Sequence, residues 1–185
     1  MNKTNKIKLF ASLAVLLINL VCTACVYAFS IETTTLKIAG SFAAIFVVSF
    51  AVWIFPIRFY ITTLTFVFFA SSLGSCVNLY HHVGFYDLFV HYLSGILLFE
   101  GGRIIIEFVN DKRNIANDLV LVSMFATFFS CSCAAFWEIY EFMSDYLINS
   151  DMQGSKGNTM GDIIAGVLGA FTGFALFHVI RKIKN

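Results

Sequence analysis

A single proline, four histidines and a charged fraction of only 12% are what this 185-residue chain has least of. Scarce charge is the decisive lack. A soluble domain carries about 25% charged residues, and half that supply cannot clothe a globule in polar groups on every side. Hydrophobic residues instead reach 59%, and mean hydropathy is +0.83. The composition predicts an integral membrane protein with the lipid bilayer as its first partner. A net charge of +1 leaves no basic field, so nucleic acid is excluded as a partner. There is no low-complexity tract and no convincing internal repeat. Residues 1–185 read as one integral membrane domain, with no room for a separate soluble one. No nucleophile motif, phosphate loop or cofactor fingerprint is present.

The five cysteines all fall in apolar stretches. Cys22-x-x-Cys25 and Cys131-x-Cys133 have spacings that metal or redox sites use. No second pair with finger-like spacing and no thiolate-stabilising charge accompanies them. They read as small apolar residues of packed helices.

Long apolar runs are what the chain has in plenty. A membrane-spanning helix needs ~20 mostly apolar residues. Six segments qualify, at about 7–29, 38–55, 60–80, 88–109, 119–141 and 163–180. Continuous runs argue for helices, because barrel strands would alternate over about ten residues. The fold class is therefore all-α, a polytopic transmembrane helix bundle of about six spans. The first run follows lysines as a signal peptide would, but it is long and lacks a small-x-small cleavage site. Nor does a lipobox form at Cys22 or Cys25. It reads as an uncleaved span.

Basic residues orient the spans. Lys3, Lys6, Lys8, Arg58, Lys112, Arg113, Arg181, Lys182 and Lys184 fall on one side, and Lys37 and Lys156 on the other. That bias predicts both termini on the cytoplasmic side of the membrane. Residues 143–160 then face outward. Arg103 lies within the fourth span, between Glu100 and Glu107, and the three- and four-residue spacings predict internal neutralisation. Trp53, Trp137, Tyr60 and Tyr80 stand at span ends, as an aromatic belt does.

With the spans laid out, His81, His82, Asp87, His91, Glu138, Glu141, Asp145 and Asp162 converge on one membrane face. Ionisable groups near lipid are expensive, and a convergent set points to function. Asp87 and His91 are four apart, which places them on one helical face. Glu138, Glu141 and Asp145 share a face if the fifth helix continues past its apolar run. Asp162 opens the sixth helix, and Ala165, Gly169 and Gly173 beyond it form a small-residue seam for close packing. Gly84 and Gly95 extend the Asp87–His91 stripe. Carboxylates with histidines make an oxygen/nitrogen shell suited to Zn, Mn or Fe, or a general base with its orienting partner. Asp87, His91, Glu138, Glu141 and Asp162 are the catalytic candidates, with His91, Glu138 and Asp162 as metal ligands. His81, His82, Asp145 and Asp151 read instead as wet, interfacial residues, and His178 as another near the opposite end.

Two stretches carry a resemblance. One is Tyr86-Asp87-Leu88-Phe89-Val90-His91-Tyr92-Leu93-Ser94-Gly95. The other is Trp137-Glu138-Ile139-Tyr140-Glu141, then Gln153-Gly154, Asn158-Thr159-Met160-Gly161-Asp162 and Gly169-Ala170. Together they resemble the YjdF-like family of small bacterial multi-pass membrane proteins and, more distantly, VanZ-like proteins. The resemblance spans about residues 60–174. It implies a polar signature of Asp87, His91, Glu138, Glu141, Gln153, Thr159 and Asp162. Two positions depart from the pattern: Leu88 stands where lysine often follows the aspartate, and Asn158 where an acid often precedes the threonine. The resemblance implies no settled activity, and VanZ-like proteins supply only a cell-envelope context. Three readings stay open: a metal-assisted enzyme acting on an envelope, lipid-linked or small-molecule substrate, a proton or metal-ion binding or transport protein, and a structural membrane subunit.

Overall fold

A computed structural model describes residues 2–148, 150 and 152–184. Asp151 lies outside the described residues. Seven α-helices and one π-helical segment form the described structure, with no strand among the described residues. In chain order they are α1 (Lys3–Ala28), α2 (Thr35–Ala51), α3 (Ile57–Val67), the π segment (Phe68–Cys76), α4 (Leu79–His82), α5 (Tyr86–Arg113), α6 (Leu119–Ile148) and α7 (Lys156–Lys184). Five of the helical stretches are long and apolar enough to cross a membrane, counting α3 and the π segment as one, and α2 is a shorter apolar helix. The chain is a polytopic, all-helical membrane protein.

The boundaries follow local chemistry. Asn2 caps α1, its side-chain oxygen accepting from the Asn5 amide, and the Thr34 hydroxyl caps α2 by accepting from Lys37 N. Pro56 immediately precedes α3, where a missing N–H costs nothing. Three sequence expectations need correction. The third span is not one α-helix: its second half is π-helical and ends at Cys76, so Tyr80 belongs to the one-turn α4. α7 starts at Lys156, which puts Asp162 in its second turn rather than at its opening. The polar run Lys156–Met160 hid that start from hydropathy, although it is capped by Ser155, whose Oγ accepts from Asn158 N at 3.2 Å. Gly84 lies in the turn before α5 with nothing within 4 Å of the position a Cβ would take, so it extends no packing stripe.

Contacts divide the chain into two compact units, Met1–Val90 and His91–Asn185. In the first, α1, α2, α3 and the π segment pack on one another and α4 packs on the π segment. The α1 face that meets its neighbours is polar. Lys8, Ser12 and Asn19 are buried there, at a spacing that repeats on one helical face. Lys8, expected among the cytoplasmic flanking charges, is 4% exposed. Its ammonium donates to the carbonyls of Trp53 (2.5 Å) and Phe55 (2.7 Å) and stands 5.2 Å from the Tyr60 ring centroid. Where α2 ends, unpaired carbonyls become available, and the lysine satisfies two of them.

The second unit is held by close backbone approach. α6 packs along α7. A Cβ on Gly95 of α5 would collide with the Gly166 carbonyl of α7 and lie 2.9 Å from Gly169 Cα. One on Gly169 would collide with the Tyr92 carbonyl, and one on Gly173 would lie 2.8 Å from Phe99 Cβ. The small-residue seam is thus where α5 and α7 meet. Ser130 of α6 donates to the Gly95 carbonyl at 2.8 Å, and Tyr92 donates to Thr172 at 2.9 Å. Interhelical hydrogen bonds of this kind average only ~0.6 kcal/mol in membranes, so the glycine seam carries most of the packing.

Candidate metal centre

The packing that brings glycines together also sets the depth of the ionisable residues. α5 begins, α6 nears its end and α7 is in its second turn at the same level. His91, Glu138, Glu141 and Asp162 are buried there, at 7%, 3%, 7% and 0% exposure. Leaving such groups in a low-dielectric setting is expensive unless charge is matched by neighbours, protons or a cation.

His91 is the hub. Its Nε2 lies 3.9 Å from Glu138 Oε1. A ring nitrogen of His91 and a carboxylate oxygen of Asp162 lie within 4.8 Å of each other. Asp87, one turn ahead of His91 on the same continuous helix, brings a carboxylate oxygen within that distance of the ring. Two ligands on a tetrahedral zinc with bonds of about 2.0–2.2 Å stand ~3.3 Å apart. Small side-chain movements would therefore bring His91 and its acids to ligand geometry. The donor set, imidazole with carboxylates, suits Zn, Mn or Fe.

Other candidates are occupied with local tasks. Glu141 Oε1 accepts from the Trp137 indole at 2.8 Å, one turn back on α6. Asp145 gathers described residues that follow α6: its carboxylate accepts from the Ser150 hydroxyl (2.6 Å) and from the amides of Met152 (2.7 Å) and Gln153 (2.9 Å). The helix does continue past its apolar run, so Glu138, Glu141 and Asp145 share a face, yet they do three different things. His81 and His82 sit exposed on α4 with their rings 5.2 Å apart, in the first unit. Arg103 is neutralised within α5, donating to Glu100 at 2.7 Å and to Glu107 at 2.5 Å, with Phe177 5.5 Å from its guanidinium carbon. All five cysteines are free thiols.

Two residues near the centre were not among the ligand candidates. Asn158 donates from Nδ2 to Asp162 Oδ2 at 2.5 Å. Thr159 carries an enclosed hydroxyl with no hydrogen-bond partner among the described residues. The i,i+4 spacing of Asn158 and Asp162 would have revealed the first pair had α7 been started early enough. The second stood in the polar signature that the resemblance implies, and its enclosure depends on packing that no local spacing encodes.

A family model described as "Predicted membrane protein (DUF2238)" matches residues 8–183. No curated protein and no solved structure matches the chain.

Proposed function

This chain belongs to the DUF2238 family of predicted membrane proteins, and on that premise we propose that it binds a divalent metal ion, Zn, Mn or Fe, through His91, Glu138 and Asp162. The bound ion serves a hydrolase or transferase reaction on a lipid-linked or envelope substrate. The observation that carries the reading is the buried His91 ring, which lies 3.9 Å from a Glu138 carboxylate oxygen and has an Asp162 carboxylate oxygen within 4.8 Å. A cation would offset several buried negative charges at once and supply Lewis acidity at a membrane face. Asp87 stands by as a further ligand or as the base that handles water. Asn158 holds Asp162 in place from the adjoining turn, as outer partners of metal ligands do. The positive-inside bias and the YjdF-like and VanZ-like resemblance support a reading with this centre on the outer face of a bacterial cytoplasmic membrane, where envelope precursors are handled.

A second reading has its own support. It is supported by the bonds from Trp137 to Glu141 and from Ser150, Met152 and Gln153 to Asp145, which tie two acids of this region to local structure. In that reading the remaining acids lock helices together.

Elemental analysis of the purified protein separates the two. Stoichiometric Zn, Mn or Fe in the parent, lost in His91→Ala, is the expected result. A metal-free parent whose thermal midpoint is unchanged by EDTA and by added metal would sink the proposal in favour of the structural reading.

A further inference from the structure

Within the first unit, two polar side-chain atoms are enclosed without a hydrogen-bond partner among the described residues. Asn19 and Ser72 are both 0% exposed, and no described residue hydrogen-bonds Asn19 Oδ1 or Ser72 Oγ. Buried polar atoms left in this state are rare in folded proteins and commonly mark an ordered water. The register of the packed helices puts this pair at one level of α1 and the π segment. Ser12 Oγ meets Tyr60 Oη at 2.5 Å and Thr23 Oγ1 meets Cys76 Sγ at 3.5 Å, so α1 runs parallel to α3 and the π segment. Asn19 lies one turn before Thr23 on the same face, its carbonyl accepting the Thr23 hydroxyl at 2.9 Å. Ser72 lies about one turn before Cys76, and its carbonyl accepts from Val77 N at 3.0 Å, the i→i+5 bond of a π-helix. Stepping down one turn on each element from the Thr23–Cys76 contact reaches Asn19 on one side and Ser72 on the other. The Asn19 amide is oriented by α2, donating from Nδ2 to Ser41 Oγ at 2.9 Å, which leaves Oδ1 to face another neighbour.

We propose that a single water molecule is bound here, donating one hydrogen bond to Asn19 Oδ1 and exchanging another with Ser72 Oγ. It is a binding site for a neutral, water-sized polar ligand at the junction of α1, α2 and the π segment. The wide turn of the π segment brings Ser72 to the level of Asn19, and the water closes the polar contact that the side chains leave open.

The test is thermal unfolding of the detergent-solubilised full chain. Ser72→Ala is expected to lower the midpoint by several degrees, because the water loses a partner and Asn19 Oδ1 keeps a poorly held one. A hydroxyl that is merely unsatisfied behaves oppositely: its removal leaves the midpoint unchanged or raises it. A Ser72→Ala midpoint at or above that of the parent overturns the site. Asn19→Leu combined with Ser72→Ala should shift the midpoint by less than the two single shifts together. If Asn19→Leu fails to fold, Ser72→Ala alone decides. The midpoint should be the same in sodium chloride and choline chloride, and a rise specific to sodium would overturn water in favour of a cation.

Discussion

Asn158 donates a 2.5 Å hydrogen bond from its side-chain amide to Asp162 Oδ2, one turn further along α7. An amide at this position restrains the acid without adding charge. Replacing it with a carboxylate would set two acids in hydrogen-bonding range. Asn158→Asp should therefore destabilise the metal-free protein by about 1–3 kcal/mol, through a lost part-buried hydrogen bond and added repulsion. With Mn or Zn supplied, the extra charge should tighten binding, on the order of tenfold for each ~1.4 kcal/mol gained. Thermal melts with and without metal check both signs. If metal fails to rescue Asn158→Asp, the acid is not part of a cation shell.

His91 and Glu138 stand 3.9 Å apart and both are buried, so they should be energetically coupled. His91→Ala and Glu138→Gln are each expected to cost stability, since each removes a polar neighbour of the other. The double variant should cost less than the sum by roughly 0.5–3 kcal/mol. Additive costs in a reversible unfolding assay would separate the two residues and remove His91 as the hub.

Close approach of α5 and α7 makes a sharp contrast between glycines. Gly95→Ala drives a methyl into the Gly166 carbonyl and the Gly169 Cα, which a helix backbone cannot avoid without shifting. A loss of about 1–3 kcal/mol, or failure to recover a monodisperse protein, is expected. Gly84→Ala meets open space and should be tolerated within about 0.5 kcal/mol. Size-exclusion profiles and melts of the two variants provide the comparison. Equal behaviour would show that the seam does not hold the second unit.

The positive-inside bias makes a topological forecast. In a background with native cysteines replaced, Ser155→Cys should react with an impermeant thiol reagent in intact cells, and Asn185→Cys should react only after lysis. Ser155 is exposed at the start of α7, so access does not limit its labelling. The reverse pattern would move the whole acid/imidazole centre to the cytoplasmic face and end the envelope-substrate proposal.

The spans and the neutralised Arg103 could be read from the chain because both follow from short-range rules. Hydrophobic length is set by the bilayer, and Glu100, Arg103 and Glu107 meet through helical spacing alone. The same rules placed His91, Glu138 and Asp162 at one depth. They could not tell that Glu141 is held by Trp137 or Asp145 by Ser150, Met152 and Gln153, because choices among acids on one face depend on side-chain directions. Nor could hydropathy foresee the π segment, which has the composition of an ordinary apolar helix.

What the amino-acid order determined by itself is therefore the class of protein and the list of expensive residues, since lipid accepts only helices or closed barrels and charges each buried ion steeply. Tertiary structure alone decided which of those residues meet. Gly95 fits against Gly166 and Gly169 only at one register of α5 on α7, and that register carries His91 to Asp162. In the first unit it decided that Lys8, one flanking lysine among several by sequence, reaches the free carbonyls of Trp53 and Phe55. Contacts between residues distant in the chain are selected by packing of whole helix faces, and no local pattern encodes which atoms finally touch.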